Sequence, residues 1–423
     1  MCASLASGLR RAAYRGGRAH RYRLRRDANR DRAGADPAVG AGAGAVRLRY
    51  QFQAVASLAP LLGHLFGLDY TAIGTLIGLY LAAGVFLALP VGMLAGRFGD
   101  RVVLGSGLAL MAVGGVICAL GGGTAGIAIG RVVCGMGAVT IVVLQGKLIA
   151  DWFEGSAFML AIATTIASYP VGIGVAQFTQ TPLANAAGWP AVFLTGSAIP
   201  ACAAALFLAA FQPPAEERGR RSLALPNPRE CLLVAVAGLI WTFYNAAYSG
   251  FLSYVPSLLH VRGASAAQAG IVMALGTWSN LPAMLLGGWL APRIGNVSIM
   301  LVGSLGIAVS VAGIAAFGDG VLALDGWALV FGLIGSIHAS VVIALGTLSA
   351  RAERRAAGMG LFYTTYYMGG ALLPALCGRA ADIYGGPEGA LYAAAVISLL
   401  ALPAFFLHRA LAHRPAVPAL AQL

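Results

Sequence analysis

The chain has 423 residues, of which 59% are hydrophobic and only 10% charged, with a formal net charge of +13. An average soluble domain carries about 25% charged residues, so a water-soluble surface cannot be assembled from this composition. The positive charge does not point to nucleic acid either: twelve of the 28 Lys and Arg fall in residues 1–49 beside Asp27, Asp31 and Asp36, the remainder is nearly neutral, and no surface of interleaved basic and aromatic residues follows.

In chain order, residues 1–45 are rich in Arg, Ala and Gly. They read as a disordered cytoplasmic segment, a start codon placed too early, or a mitochondrial transit peptide; scarce Ser and a weak amphipathic pattern favour the first two. Apolar stretches of about 20 residues, the length that crosses a bilayer, then recur. They cover about 40–66, 71–95, 102–121, 125–148, 157–180 and 190–211, and again 232–259, 268–291, 297–317, 323–348, 357–380 and 389–408. Between the sets lies FQPPAEERGRRSLALPNPRE, whose four prolines and mixed charges mark a linker.

The expected fold is an all-α polytopic membrane protein with twelve transmembrane helices in two six-helix pseudo-symmetric halves. The division is 46–211 for the first half, 212–230 for the linker, 231–410 for the second half and 411–423 for a tail. The first span is the weakest, since Arg47, Arg49, Gln51 and Gln53 occupy its front. Thirteen Lys and Arg lie on one set of connections and two, Arg262 and Arg379, on the other. That asymmetry puts both termini and the linker in the cytoplasm.

One phrase occurs twice, GMLAGRFGD at 92–100 and GWLAPRIGN at 288–296, each at the end of a long apolar stretch. Such duplication suggests two bundled halves with a path between them. In this topology the phrase resembles the signature of the major facilitator superfamily, in the loop between second and third spans. Gly92, Arg97 and Gly99 match, and Arg101 supplies the trailing basic position. Gly96 stands where the family has an acid, and Asp100 follows the second glycine; in the second copy Gly288, Arg293 and Gly295 recur and Pro292 takes the acid's place. A second match is GRVVCGMGA at 130–138, carried by Arg131, Gly135, Gly137 and Ala138, with glycines spaced for close helix approach. DWFEG at 151–155 and SYPVGIG at 168–174 also look like variants in bacterial members. The resemblance implies a bacterial inner-membrane carrier, working as a monomer by alternating access. The first, fourth, seventh and tenth helices would line its pathway, and both copies of the phrase would form a conformational latch.

A charge within a bilayer costs at least about 2.5–3.5 kcal/mol, so each instance needs a reason. Arg131 reads either as a structural residue bonded to backbone carbonyls or as a solute or proton-relay contact. Arg49, with Gln51 and Gln53, either faces the cavity or flanks a short first span. No Asp or Glu falls inside the expected spans, and guanidinium groups suit carboxylate and phosphate, so a small anionic solute is expected; a neutral or drug-like solute is the alternative. Trp241, Tyr244, Tyr248 and Phe251 form one helical face, with Asn245 beside it, and read as packing or as a neutral contact surface. Gln145 in the fourth span, Trp278 and Asn280 in the eighth, and Tyr363 and Tyr366 in the eleventh complete the candidate solute contacts. His338 in the tenth is either packed and neutral or a proton-coupling site.

The six cysteines show no metal-ligand spacing, and no disulfide or metal is expected. No GxxxxGK[ST] phosphate loop, HExxH or GxSxG occurs, so neither a nucleotide cofactor nor an intramembrane enzyme is expected, and a channel is a remoter reading. Energy would come from proton coupling, exchange or the solute's own gradient.

Overall fold

The structure, a computed structural model, describes residues 50–152, 155–210, 225–317, 320–351 and 354–412. The expected N-terminal segment 1–45, Arg47, Arg49, most of the linker and the end of the tail lie outside the described residues. Among the described residues the chain is almost wholly helical. Hydrocarbon offers no partner for a free N–H or C=O, so apolar runs of this length close their hydrogen bonds within helices.

Among the described residues twelve helical spans run back and forth. The first is described from residue 50 and comprises 50–57 and Ala59–Phe66. The second to sixth are Tyr70–Phe98, Asp100–Leu120, Thr124–Trp152, Gly155–Ala187 and Trp189–Ala210. The seventh is Pro228–Val261, the eighth Ala266–Trp278 with Asn280–Ile294, and the ninth Asn296–Phe317. The tenth is Val321–Leu333 with Ala339–Leu348, the eleventh Arg355–Tyr384, and the twelfth Glu388–Leu399 with Ala401–Ala412.

Local chemistry fixes the ends. The Asp69 carboxylate accepts from Ala72 N at 2.7 Å to start the second span, and reciprocal capping boxes start the seventh (Asn227 and Glu230) and the eighth (Ser265 and Gln268). The two copies of the repeated phrase form the same turn. Gly99 has φ +82° and ψ 149°, Gly295 has φ +85° and ψ 148°, and each closes one helix while opening the next. L side chains rarely adopt that backbone, which is why glycine stands at both places.

Packing repeats with the same period. The third span lies against the fourth and sixth as the ninth lies against the tenth and twelfth, and the second packs on the fourth as the eighth packs on the tenth. Between the halves the principal seams pair the second span with the eleventh and the fifth with the eighth. Adding six to each number exchanges these two pairs, so a pseudo-twofold relation passes through the middle of the bundle. The first of these seams is backbone-close: a Cβ at Gly74 or Gly78 would overlap the carbonyl of Pro374 or Ala371. Below, the repeat-bearing end is the one that holds Gly99 and Gly295, and the far end holds Tyr70, Arg262 and Asp382.

Candidate functional site: a central cavity between the halves

Two adjoining small cavities, each of about 30 Å³, lie where the halves meet and share Leu81, Tyr169 and Tyr366. Phe52 of the first span, Leu81 of the second and Tyr169 of the fifth form one wall; Thr242, Asn245, Tyr248, Ser249 and Leu252 of the seventh and Tyr366, Gly370 and Pro374 of the eleventh form the other. Toward the fourth span the lining becomes Tyr80, Ala138, Val139 and Val142, with Tyr367. Among the described lining residues there is no charged side chain.

The seventh span supplies the wall through a face displaced from the aromatic stripe. Thr242, Asn245, Ser249 and Leu252 follow one another at steps of 3, 4 and 3, which is one helical face. Tyr244 and Phe251 point away into the second half, where Phe251 stacks on Phe331 at 4.1 Å and Tyr244 meets His338 edge to face at 4.8 Å. Tyr248 belongs to both environments: it lines the cavity and stacks on Phe331 at 5.8 Å. The signal for the polar stripe was present in the sequence as Thr, Asn and Ser at helical spacing, overshadowed by the larger aromatics next to it.

Arg131 is 1% exposed and held between the first and second spans. Nε donates to Leu76 O (3.1 Å), Nη1 to Gln51 O (3.1 Å) and Phe52 O (3.2 Å), and Nη2 to Ile77 O (3.4 Å). The guanidinium also lies 4.4 Å from the Tyr80 ring centroid. A cation buried this deeply needs several acceptors, and backbone carbonyls from two helices supply them. In this arrangement the group ties three spans together and turns its donors away from the cavity.

Gln51 does not face the cavity as expected; its amide enters the first half and donates to Met111 O at 2.9 Å. Gln53 crosses to the second half, where Nε2 donates to Leu252 O at 2.9 Å. The fifth span brings two further buried glutamines that the sequence reading passed over. Gln180 donates to Tyr50 O at 2.6 Å, and Gln177 accepts from Ser57 Oγ at 3.4 Å. Gln53 Oε1, Gln177 Nε2 and Gln180 Oε1 are buried acceptors and a donor without a protein partner, so this seam retains hydrogen-bonding capacity for a hydroxyl or an amide.

His338 is fully buried at the break of the tenth span, and a Cβ on Gly303 of the ninth would strike its ring. Tyr244 is 3.3 Å from Ser336 Oγ at the same break and also meets the Asn280 side chain. These residues form a polar cluster inside the second half rather than part of the cavity wall. Trp278 is 48% exposed at the seam of the fifth and eighth spans, and its Nε1 donates to Pro170 O at 3.1 Å, so it acts as a strut between halves. Gln145 and Tyr363 also lie outside the cavity lining, the latter edge to face with Phe362 at 5.3 Å. Of the expected solute contacts, the structure brings Asn245, Tyr248 and Tyr366 to the cavity.

Both copies of the repeated phrase sit at one end, in separate halves. Arg101 donates to Leu208 O of the sixth span, Arg97 lies 5.4 Å from the Phe98 ring, and Arg293 rests 3.8 Å over the Trp289 ring and donates to its carbonyl. These contacts stay within their own half.

The chain matches the family model described as Major Facilitator Superfamily over residues 44–374. Among curated proteins no sequence matches. Among solved structures it is similar to the crystal structure of a D-xylose-proton symporter, with a TM-score of 0.72 and 16% identity, covering 91% of this chain and 98% of that one.

Proposed function

The chain belongs to the major facilitator superfamily, and from that premise we propose that this multi-pass membrane transporter is a secondary carrier for a small, uncharged, hydrogen-bonding solute. It would work by rocking of its halves about the central cavity. The observation that carries this reading is the lining: aromatic rings, one amide and several hydroxyls, and no charged group among the described lining residues. Rings offer flat apolar contact, while amides and hydroxyls fix orientation. The expectation of an anion rested on Arg49, outside the described residues, and on Arg131, whose donors are taken by carbonyls. Kinship of fold with a D-xylose-proton symporter adds support for an uncharged solute.

Thr242, Asn245, Tyr248 and Tyr366 are the proposed contacts, with Gln53 bonded to the neighbouring Leu252 carbonyl. His338 is the proposed coupling residue should transport follow protons. Gly92, Arg97, Gly99, Asp100, Arg101, Gly288, Arg293 and Gly295 would latch the repeat-bearing end in the opposite state. The Lys and Arg excess supports a cytoplasmic repeat-bearing end, and one chain contains the whole cavity, which supports a monomer; a bacterial inner membrane is the proposed location. Counterflow by purified protein in liposomes tests the solute class. Saturable exchange of sugars or polyols is expected; exchange confined to small carboxylates or inorganic anions would return the anion reading.

A further inference from the structure

The N-terminus of the second span is finished by the other half of the molecule. A helix leaves its first N–H groups without intrahelical partners, and their positive ends favour an anion. Asp69 takes Ala72 N, but the two preceding donors go elsewhere. Tyr70 N donates to Asp382 Oδ1 at 2.9 Å, Thr71 N donates to Oδ2 at 3.0 Å, and the Thr71 hydroxyl also donates to Oδ2. Asp382 stands near the end of the eleventh span, in the opposite half. Tyr254 of the seventh span reinforces the contact from beneath, its hydroxyl donating to Pro374 O and lying 3.3 Å from Tyr70 O.

We propose that Asp382 is the clasp of the far end: its carboxylate closes the cavity on that side by capping a helix of the opposite half. The inference rests on the alternating-access reading, because only then must this seam part. Parting the second and eleventh spans strips the carboxylate of all three donors at once. A neutral side chain at this position lacks the charge that suits a helix N-terminus, so removing the carboxylate favours the parted state.

Other ionisable groups lie at this corner: Asp69 and Tyr70 at the start of the second span and Tyr254 of the seventh. Glu388, at the start of the twelfth, is held 3.4 Å from Arg262. Asp382 differs from the other acids in bonding across the halves: Asp69 caps its own helix, and Glu388 pairs within the second half.

The test uses full-length protein in nanodiscs with spin labels at Leu120→Cys and Leu322→Cys, exposed far-end positions in different halves. Distances between them are read at neutral pH, where the wild type should populate mainly the short separation. Asp382→Asn should favour the long-distance population about tenfold, as expected for lost charge-assisted bonds, and Asp69→Asn should behave as the wild type. An Asp382→Asn protein with wild-type distances, or an equal shift in Asp69→Asn, would overturn the proposal. If Asp382→Asn does not yield monodisperse protein, Thr71→Val, which removes one of the three donors, decides: a smaller shift in the same direction is expected, and wild-type distances overturn the proposal. These distances are independent of which solute is carried, so failure of the solute assignment reads separately.

Discussion

Gly99 and Gly295 adopt nearly the same backbone at equivalent turns, in a region that costs an L residue of order 1–3 kcal/mol. Gly99→Ala and Gly295→Ala should therefore each lower the apparent melting temperature in detergent, by similar amounts. A drop for only one would mean that the turns are not equivalent. Arg131 makes a different kind of contribution. Truncation to Ala removes a charged tie between three spans and leaves a void, a loss of about 2–4 kcal/mol. Arg131→Lys should not restore the melting temperature, because an ammonium cannot fan across four carbonyls on two helices. In the fraction that remains folded, the solute KM should stay within about twofold of wild type; a large rise in KM would put the guanidinium back among the solute contacts. The sequence displayed Arg131 as a charge at depth and left two readings open. It could not show which one holds, since the acceptors are main-chain carbonyls that leave no trace in residue identity.

At the level of the helix, the seventh span illustrates how a fold uses two adjacent faces for different ends. Its bulky rings fill the second half, while Thr242, Asn245 and Ser249 meet the cavity. Asn245→Leu should raise the solute KM about tenfold or more, through loss of a hydrogen bond in a desolvated site. Tyr244→Phe should leave KM nearly unchanged and cost stability through Ser336; transport kinetics with melting curves separate the two outcomes. Apolar runs placed the second to twelfth spans within about four residues at each end, the end of the fifth at Ala187 excepted, because the need to bury main-chain polar groups in lipid is written plainly in their length. Breaks were less visible. The tenth span is interrupted at 334–338 without a proline: Ile334 caps the end of one helix, Gly335 and Ser336 lie in the break, and His338 caps the start of the next. Hydropathy counts these residues as apolar or small and registers no interruption. Likewise Gln177 and Gln180 looked like ordinary polar residues near a helix end until tertiary packing buried them against the first span.

For the molecule as a whole, the duplicated phrase foretold a pair of related halves, and the repeated neighbour pattern follows from it. What the phrase could not foretell is which seam is closed, since that depends on contacts such as Thr71 with Asp382, separated by 311 residues. Cysteines placed at Thr71 and Asp382 should join under oxidation and arrest counterflow, with recovery on reduction. Unimpaired exchange by the cross-linked protein would show that the second and eleventh spans need not part during the cycle.

The eleventh span carries one more implication. Its run Tyr363–Tyr367 includes Thr364 and Thr365, and the helix also carries Arg379 and Asp382, so it is less apolar than the seventh, eighth, ninth and twelfth. It packs on the second span, synthesised some 280 residues earlier, as well as on the seventh and twelfth. A fragment beginning near residue 225 lacks part of this cover and should be cleared by quality-control proteases faster when expressed alone than when the matching N-terminal fragment is supplied in trans.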